Sequence, residues 1–138
     1  MTTEEVFIGL QVRNVRLNKP ATPEELHSLE STLGVTLHPY FSELLTKFNG
    51  FVSAEYDRKS EICVWGTHDL ISHSDLMITV DGEMKFVIGD LLIYSDFIAC
   101  SLENDSTPVF LLHEGKQMAS NINKFFEQLV RGAFDFLT

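Results

Sequence analysis

Apolar residues recur along this chain with two different periods, and the switch between them divides it into parts. Near the start, Val6, Phe7 and Leu10 share one helical face behind Thr2 and Thr3, either of which can cap. The spacing predicts a short helix from Thr3 to about Val12. Thr22-Pro23-Glu24-Glu25 is a stronger start. The threonine hydroxyl can accept from a free backbone N–H of the first turn, proline suits the first helical position, and Glu25 can reach back to the cap N–H. Leu26, Leu29 and Leu33 follow on one face and Gly34 allows a left-handed stop, which predicts a helix over about 23–33. After Val35-Thr36-Leu37 a second stripe begins at Pro39, with Tyr40, Phe41, Leu44, Leu45 and Phe48, closed by Asn49-Gly50. The short connection predicts that these two helices pack as a pair.

From Phe51 to Ala119 the period shortens. Strands are predicted at Phe51–Tyr56, Glu61–Gly66, Leu76–Val80, Met84–Ile88, Phe97–Leu102 and Pro108–His113. Asp57-Arg58-Lys59-Ser60, Asp81-Gly82, Asn104-Asp105-Ser106 and Glu114-Gly115 supply turns between several of them. Short strands on tight turns pair antiparallel. Leu91–Tyr94 reads as either a strand or a helical turn. Behind a cap at Ser120, Ile122, Phe125, Phe126, Leu129, Val130, Ala133, Phe134 and Leu137 restore helical spacing. So apolar a face has to be buried, most simply against the sheet. The order gives an α+β fold: N-terminal helices, a central antiparallel sheet of about five to six strands, and a C-terminal helix packed on the sheet. No repeat or Gly/Ser-rich linker intervenes, so residues 1–138 are read as a single domain.

Composition supports a packed domain, since 44% of residues are hydrophobic and fifteen are aromatic. Charge narrows the function. Ten basic residues face twenty acidic ones, for a net charge of −10. Such a surface repels phosphate, which argues against a nucleic-acid binder and against an anionic membrane as partner. The excess is uneven: residues 61–110 hold nine acidic residues and one basic residue, Lys85. The longest apolar run, Phe86 to Tyr94, is short and broken by Asp90, and Glu4 and Glu5 stand where a secretory leader would carry positive charge. Cys63 and Cys100 sit in apolar runs and read as buried thiols of a reducing compartment, with an inter-strand disulfide as the other reading. The cytoplasm is the expected location.

Several of these residues, taken in order, resemble the SMI1/KNR4-like, or SUKH, superfamily. Thr22-Pro23-Glu24-Glu25-Leu26, Leu29-Glu30, Leu33-Gly34, Leu37, Pro39, Phe41, Leu44-Leu45 and Asn49-Gly50 resemble its opening pair of helices. Ile88-Gly89-Asp90-Leu91-Leu92-Ile93-Tyr94-Ser95, with Phe97 and Ala99, is similar to its Asp-x-Leu-Ile-x-Ser segment. The stretch from Ser120 through Phe125 and Leu129 resembles its closing helix. The likeness runs from about Ala21 to Leu137. The chain departs from the pattern at His38, inserted between Leu37 and Pro39, at Phe51 after Gly50, and from Asp69 to Met84. The resemblance implies a non-catalytic binding protein. Many bacterial members are immunity proteins that bind and block a cognate toxin domain, often a nuclease or deaminase; other members are regulatory interaction modules.

The residues themselves offer little chemistry. His68, Asp69, His73 and Asp75 could in principle hold a metal, but His68 and His73 are five apart, off the four-residue spacing that aligns two imidazoles on a helix. A solvated polar loop is the competing reading. Neither cysteine has a neighbouring base, no Gly-x-Ser-x-Gly elbow occurs, and no glycine-rich phosphate loop or basic stripe is present. No catalytic residue, metal or cofactor is expected. Asp90 interrupts an apolar run, and a carboxylate there needs hydrogen bonds. It is read as a turn anchor accepting from backbone N–H groups and from Ser95, or alternatively as a partner contact. Glu30 is read either as bonded to the Asn49-Gly50 corner or as exposed.

The acidic stretch is either a solvated face or a surface complementary to a basic partner, which it would steer electrostatically. On the second reading the partner-binding residues are Asp57, Glu61, Trp65, Asp69, Asp75, Asp81, Glu83 and Asp96, with Tyr56 and Tyr94 as further aromatic anchors. The expected partner is a basic cognate toxin.

Overall fold

In the computed structural model, which describes residues 1–92 and 94–136, three helices precede the sheet. They are α1 (Thr3–Val12), α2 (Pro23–Leu33) and α3 (Pro39–Lys47). Both α1 and α2 begin with a reciprocal capping box. Thr2 Oγ1 accepts from Glu5 N and Thr22 Oγ1 from Glu25 N, each at 3.1 Å, while the two glutamates accept from the cap N–H groups. Gly34 closes α2 in the left-handed region, at φ 69°. The third helix uses the residue that departs from the family pattern: His38 caps it, Nδ1 accepting from Phe41 N at 3.2 Å. Glu30 accepts from the backbone of Leu37 at 2.9 Å and so fixes the α2–α3 connection, not the Asn49-Gly50 corner.

Six strands form one antiparallel sheet: β1 (Ile62–Val64), β2 (Met77–Val80), β3 (Glu83–Leu91), β4 (Asp96–Cys100), β5 (Val109–Leu111) and β6 (Gln117–Ala119). The path runs β1-β3-β4-β5-β6, with β2 also on β3. The nine-residue β3 is long enough to take two neighbours on one edge. Met77–Val80 pairs with its first half and Ile62–Val64 with its last three residues, while β4 occupies the opposite edge. A short helix, α4 (Thr67–Ser72), carries the chain from β1 to β2, and α5 (Ile122–Val130) ends the fold. Ile122, Phe125, Phe126 and Leu129 of α5 are at most 1% exposed. Burial of each such side chain contributes about 2 kcal/mol.

The α+β expectation holds: N-terminal helices, a curled antiparallel sheet and a C-terminal helix that packs on β6 and α1. Five details differ from the sequence reading. The second and third helices do not pack as a pair: α3 lies against α1, and α2 against α4. Phe51–Tyr56 is not a strand; Phe51 makes one isolated bridge to Leu17, and Ala54 turns the chain at φ 66°. The interrupted run at Asp90 is part of β3, which continues to Leu91, where Leu92 and Tyr94 take positive φ. Ile93 of the ambiguous Leu91–Tyr94 stretch lies outside the described residues, as does Leu137 of the closing helix. The cap of α5 is Asn121, accepting from Lys124 N at 2.8 Å, one residue after Ser120, and the helix stops at Val130. Finally, α4 and β6 stand where no element is predicted.

A close backbone crossing locks the helical part to the sheet. A Cβ on Gly50 would lie 2.1 Å from Gly66 N, and one on Gly66 would lie 2.1 Å from Asn49 O. Only glycine fits at either position. The Asn49 side chain then does what Gly66 cannot. Its Oδ1 accepts from Thr67 N at 2.8 Å and its Nδ2 donates to Thr67 Oγ1 at 3.0 Å, satisfying the start of α4 from eighteen residues away.

Candidate functional site

The feature with most chemistry lies where β1, α4 and the end of β3 meet. In strand register Cys63 pairs with Asp90, and Asp90 with Phe97. Asp90 is therefore a mid-strand carboxylate, 6% exposed. Its Oδ2 accepts from the indole Nε1–H of Trp65 at 2.9 Å, and its Oδ1 accepts from Tyr94 N at 3.3 Å. The turn-anchor reading is right about the backbone N–H and wrong about Ser95, whose hydroxyl donates to Leu92 O instead. Trp65 is the larger partner.

Aromatic rings gather on this carboxylate. Trp65 lies against His73 (centroids 4.5 Å apart), Phe97 (6.0 Å) and Tyr94 (6.4 Å), and Phe97 continues the series to His113 at 5.7 Å. Tyr94 and His113 are the exposed members. Beside them is a cavity of about 260 Å³ whose lining includes Glu55, Tyr56, Trp65, Asp69, Asp90 and Tyr94. At its rim Glu55 is held by Arg16 at 2.8 Å. The guanidinium of Arg58 lies 5.9 Å from the centroid of the Tyr56 ring.

The residues predicted as partner contacts divide into two groups. Asp57, Trp65 and Asp96 are buried. Asp57 takes a two-pronged bond from Arg13, with Nη2 at 2.6 Å and Nε at 3.1 Å, and accepts from Ser60 N and Oγ. Burial opposes its ionisation, but the bonds from Arg13 and Ser60 prevail and hold its carboxyl below the usual value. Arg13 also bonds Asp135 at 2.5 Å, so this cluster joins α1, the turn before β1 and the C-terminal segment. Asp96 accepts from the backbone N–H groups of Phe97, His113 and Glu114 at 2.7–3.1 Å. Burial again works against its charge, and the three N–H donors outweigh it and lower the carboxyl's pKa. Both carboxylates are consumed inside the fold.

The others reach the surface. Asp75 and Asp81 are exposed, and Glu61, Asp69 and Glu83 are half-buried. The structure brings Trp65 and Asp69 together at the aromatic cavity, and Asp81 and Glu83 at a second hollow beside Lys85 and Phe110. Glu55, absent from the sequence prediction, also lines the aromatic cavity. It lies in the stretch misread as a strand, and no local signal marks it.

Catalytic options are poor. Burial pushes the thiols of both free cysteines, Cys63 and Cys100, up to about 12, so neither is a thiolate at neutral pH. The His68–Asp75 segment is mostly α4, not a loop. There His68 points to solvent, while the imidazole Nδ1 of His73 lies 3.0 Å from the carbonyl of Asp69. Among the described residues no three His, Cys, Asp or Glu side chains gather as a metal site would need. No helix among them is long and apolar enough to cross a membrane.

Among curated proteins, none matches this chain. The capped α2, the α3 that follows it, the Asn49-Gly50 exit and the sheet that ends in α5 are nevertheless one recognisable unit. A family profile matches residues 20–128, and the chain belongs to the SMI1 / KNR4 family (SUKH-1).

Proposed function

We propose that this chain is an immunity-type protein. It binds a cognate bacterial toxin domain with a basic active-site surface, of nuclease or deaminase type, and blocks it without catalysis. One observation carries the reading beyond family membership. Lys85, the single base between residues 61 and 110, is itself 7% exposed and ion-paired with Glu83. That segment therefore offers a partner carboxylates and no exposed cation: Glu61, Asp69, Asp75, Asp81, Glu83, Glu103 and Asp105 all reach solvent at least in part. Such a face accelerates encounter with a basic cleft and disfavours acidic partners.

The test is co-expression with the product of an adjacent toxin gene, read by co-purification and by rescue of growth. Binding that weakens steeply with added salt supports the reading. Failure to bind or protect against any such product overturns it. A second reading, a regulatory adaptor for a peptide, is favoured by β2. Its four residues are all exposed, and its pairing among the described residues is to β3 alone, so its outer edge suits strand addition.

A further inference from the structure

The cavity at the β1–α4 junction combines aromatic rings with carboxylates. Its lining includes the rings of Trp65, Tyr94 and Tyr56, and two of its three carboxylates lack a counter-charge among the described residues. Glu55 has Arg16, which is 75% exposed at the rim. Asp69 and Asp90 have no ion-pair partner among the described residues. Asp90 is more than nine-tenths buried, yet each of its oxygens accepts one N–H and retains a lone pair. Its field reaches its neighbours: after burial itself, Asp90 and Asp69 are the main causes that raise both the Cys63 thiol and the Tyr94 phenol.

We propose that this cavity is the receptor for one arginine side chain of the partner protein. A guanidinium is flat, so it stacks against the exposed Tyr94 ring. It is weakly hydrated, so it enters a largely apolar hollow at lower cost than an ammonium does. Its forked donors match the open lone pairs of Asp90 and the carboxylate of Asp69. The cavity, about 260 Å³, is the size of a side chain and not of a folded segment. The inference rests on the binding reading above and names the chemistry of its anchor: the long-range acidic face brings the partner in, and this site fixes one residue of it.

The test needs no toxin. N-acetyl-arginine amide is titrated into the protein at constant ionic strength, with the citrulline analogue as an uncharged isostere and N-acetyl-lysine amide as the alternative cation. The chain has one tryptophan, so its indole N–H resonance reports the site alone. We expect the arginine compound to shift that resonance saturably at millimolar concentration, about 4 kcal/mol of binding. Citrulline should leave it in place and lysine should act more weakly. Asp69→Asn, a half-buried position on α4, should weaken the arginine effect about tenfold while the rest of the spectrum is unchanged. Asp90→Asn should abolish the effect if it folds. An arginine response equalled by citrulline or exceeded by lysine, no response, or full retention in Asp69→Asn overturns the proposal. Toxin binding that survives such a result leaves the immunity reading standing, and arginine binding without a toxin partner does the reverse.

Discussion

The indole N–H of Trp65 donates to Oδ2 of Asp90 across 2.9 Å, and the two side chains are 2% and 6% exposed. A buried carboxylate in a strand is satisfied here by a neutral donor in place of a cation. Trp65→Phe keeps most of the ring but removes that donor, and should cost about 1–3 kcal/mol, the penalty of an under-satisfied buried group. Asp90→Asn keeps an acceptor and sheds the charge, so it should cost less. Urea midpoints followed by circular dichroism decide it, and equal losses would contradict the assignment.

Arg13 and Asp57 set the second prediction. The pair is bidentate, with side chains 10% and 1% exposed, and removing one partner strands the other. Arg13→Met should destabilise by about 3–5 kcal/mol. Arg16→Met, at the 75% exposed bridge to Glu55, should cost less than about 1 kcal/mol. Similar urea midpoints for the two variants would sink the distinction.

Stability should fall in two steps as pH drops. Burial lowers the pKa of His38, whose Nδ1 must stay unprotonated to cap α3. A folded value below the unfolded one, about 6.5, means that stability is fully present above that pH and is lost as pH falls through the folded value. Asp57 and Asp96 are also depressed, so their contribution is complete above about pH 4 and is lost on further acidification. His38→Asn retains a capping acceptor that does not titrate. Thermal melts from pH 7 to pH 3 should show the upper step removed in that variant and the lower one kept. An unchanged upper step would assign it to another histidine.

At the crossing of Asn49-Gly50 with Gly66, a methyl group has no room. Gly66→Ala places a Cβ 2.1 Å from a backbone oxygen and should lower the melting temperature far more than Gly115→Ala. At Gly115 nothing lies within 4 Å, and the cost is only that of positive φ, about 1–2 kcal/mol. Comparable melting temperatures for the two variants would remove the crossing as a constraint.

The same places explain what could be read from the sequence. Thr22 and Glu25 form their capping box within four residues, so the motif is visible locally, and so is the apolar stripe of Phe125, Phe126 and Leu129. The start of α4 is not, because its cap is Asn49, far away in the chain. Phe51–Tyr56 looks extended, but Ala54 takes a positive φ that an alanine side chain does not announce. Counting charge marked residues 61–110 as acidic but could not separate Asp96, spent on three backbone N–H groups, from Asp81, open to solvent. Both are acids beside turns; only the distant His113-Glu114 backbone distinguishes them.

That separation yields the prediction most specific to function. If the acidic face steers a basic partner, charge reversal at exposed positions should act on the rate of encounter and not on the fold. Asp75→Lys with Asp81→Lys should lower the association rate constant about tenfold at low salt, with little change in dissociation or in melting temperature. The gap should close as salt rises, because these charges are solvent-exposed and screened over about 10 Å at 0.1 M. Asp96→Asn should behave in the opposite way. It should lower the melting temperature, since its three N–H bonds weaken, while a folded sample keeps the native association rate. Surface plasmon resonance at two salt concentrations with calorimetry on the same preparations separates the two. Loss of association in Asp96→Asn without loss of stability would place that residue at the interface and refute its internal role.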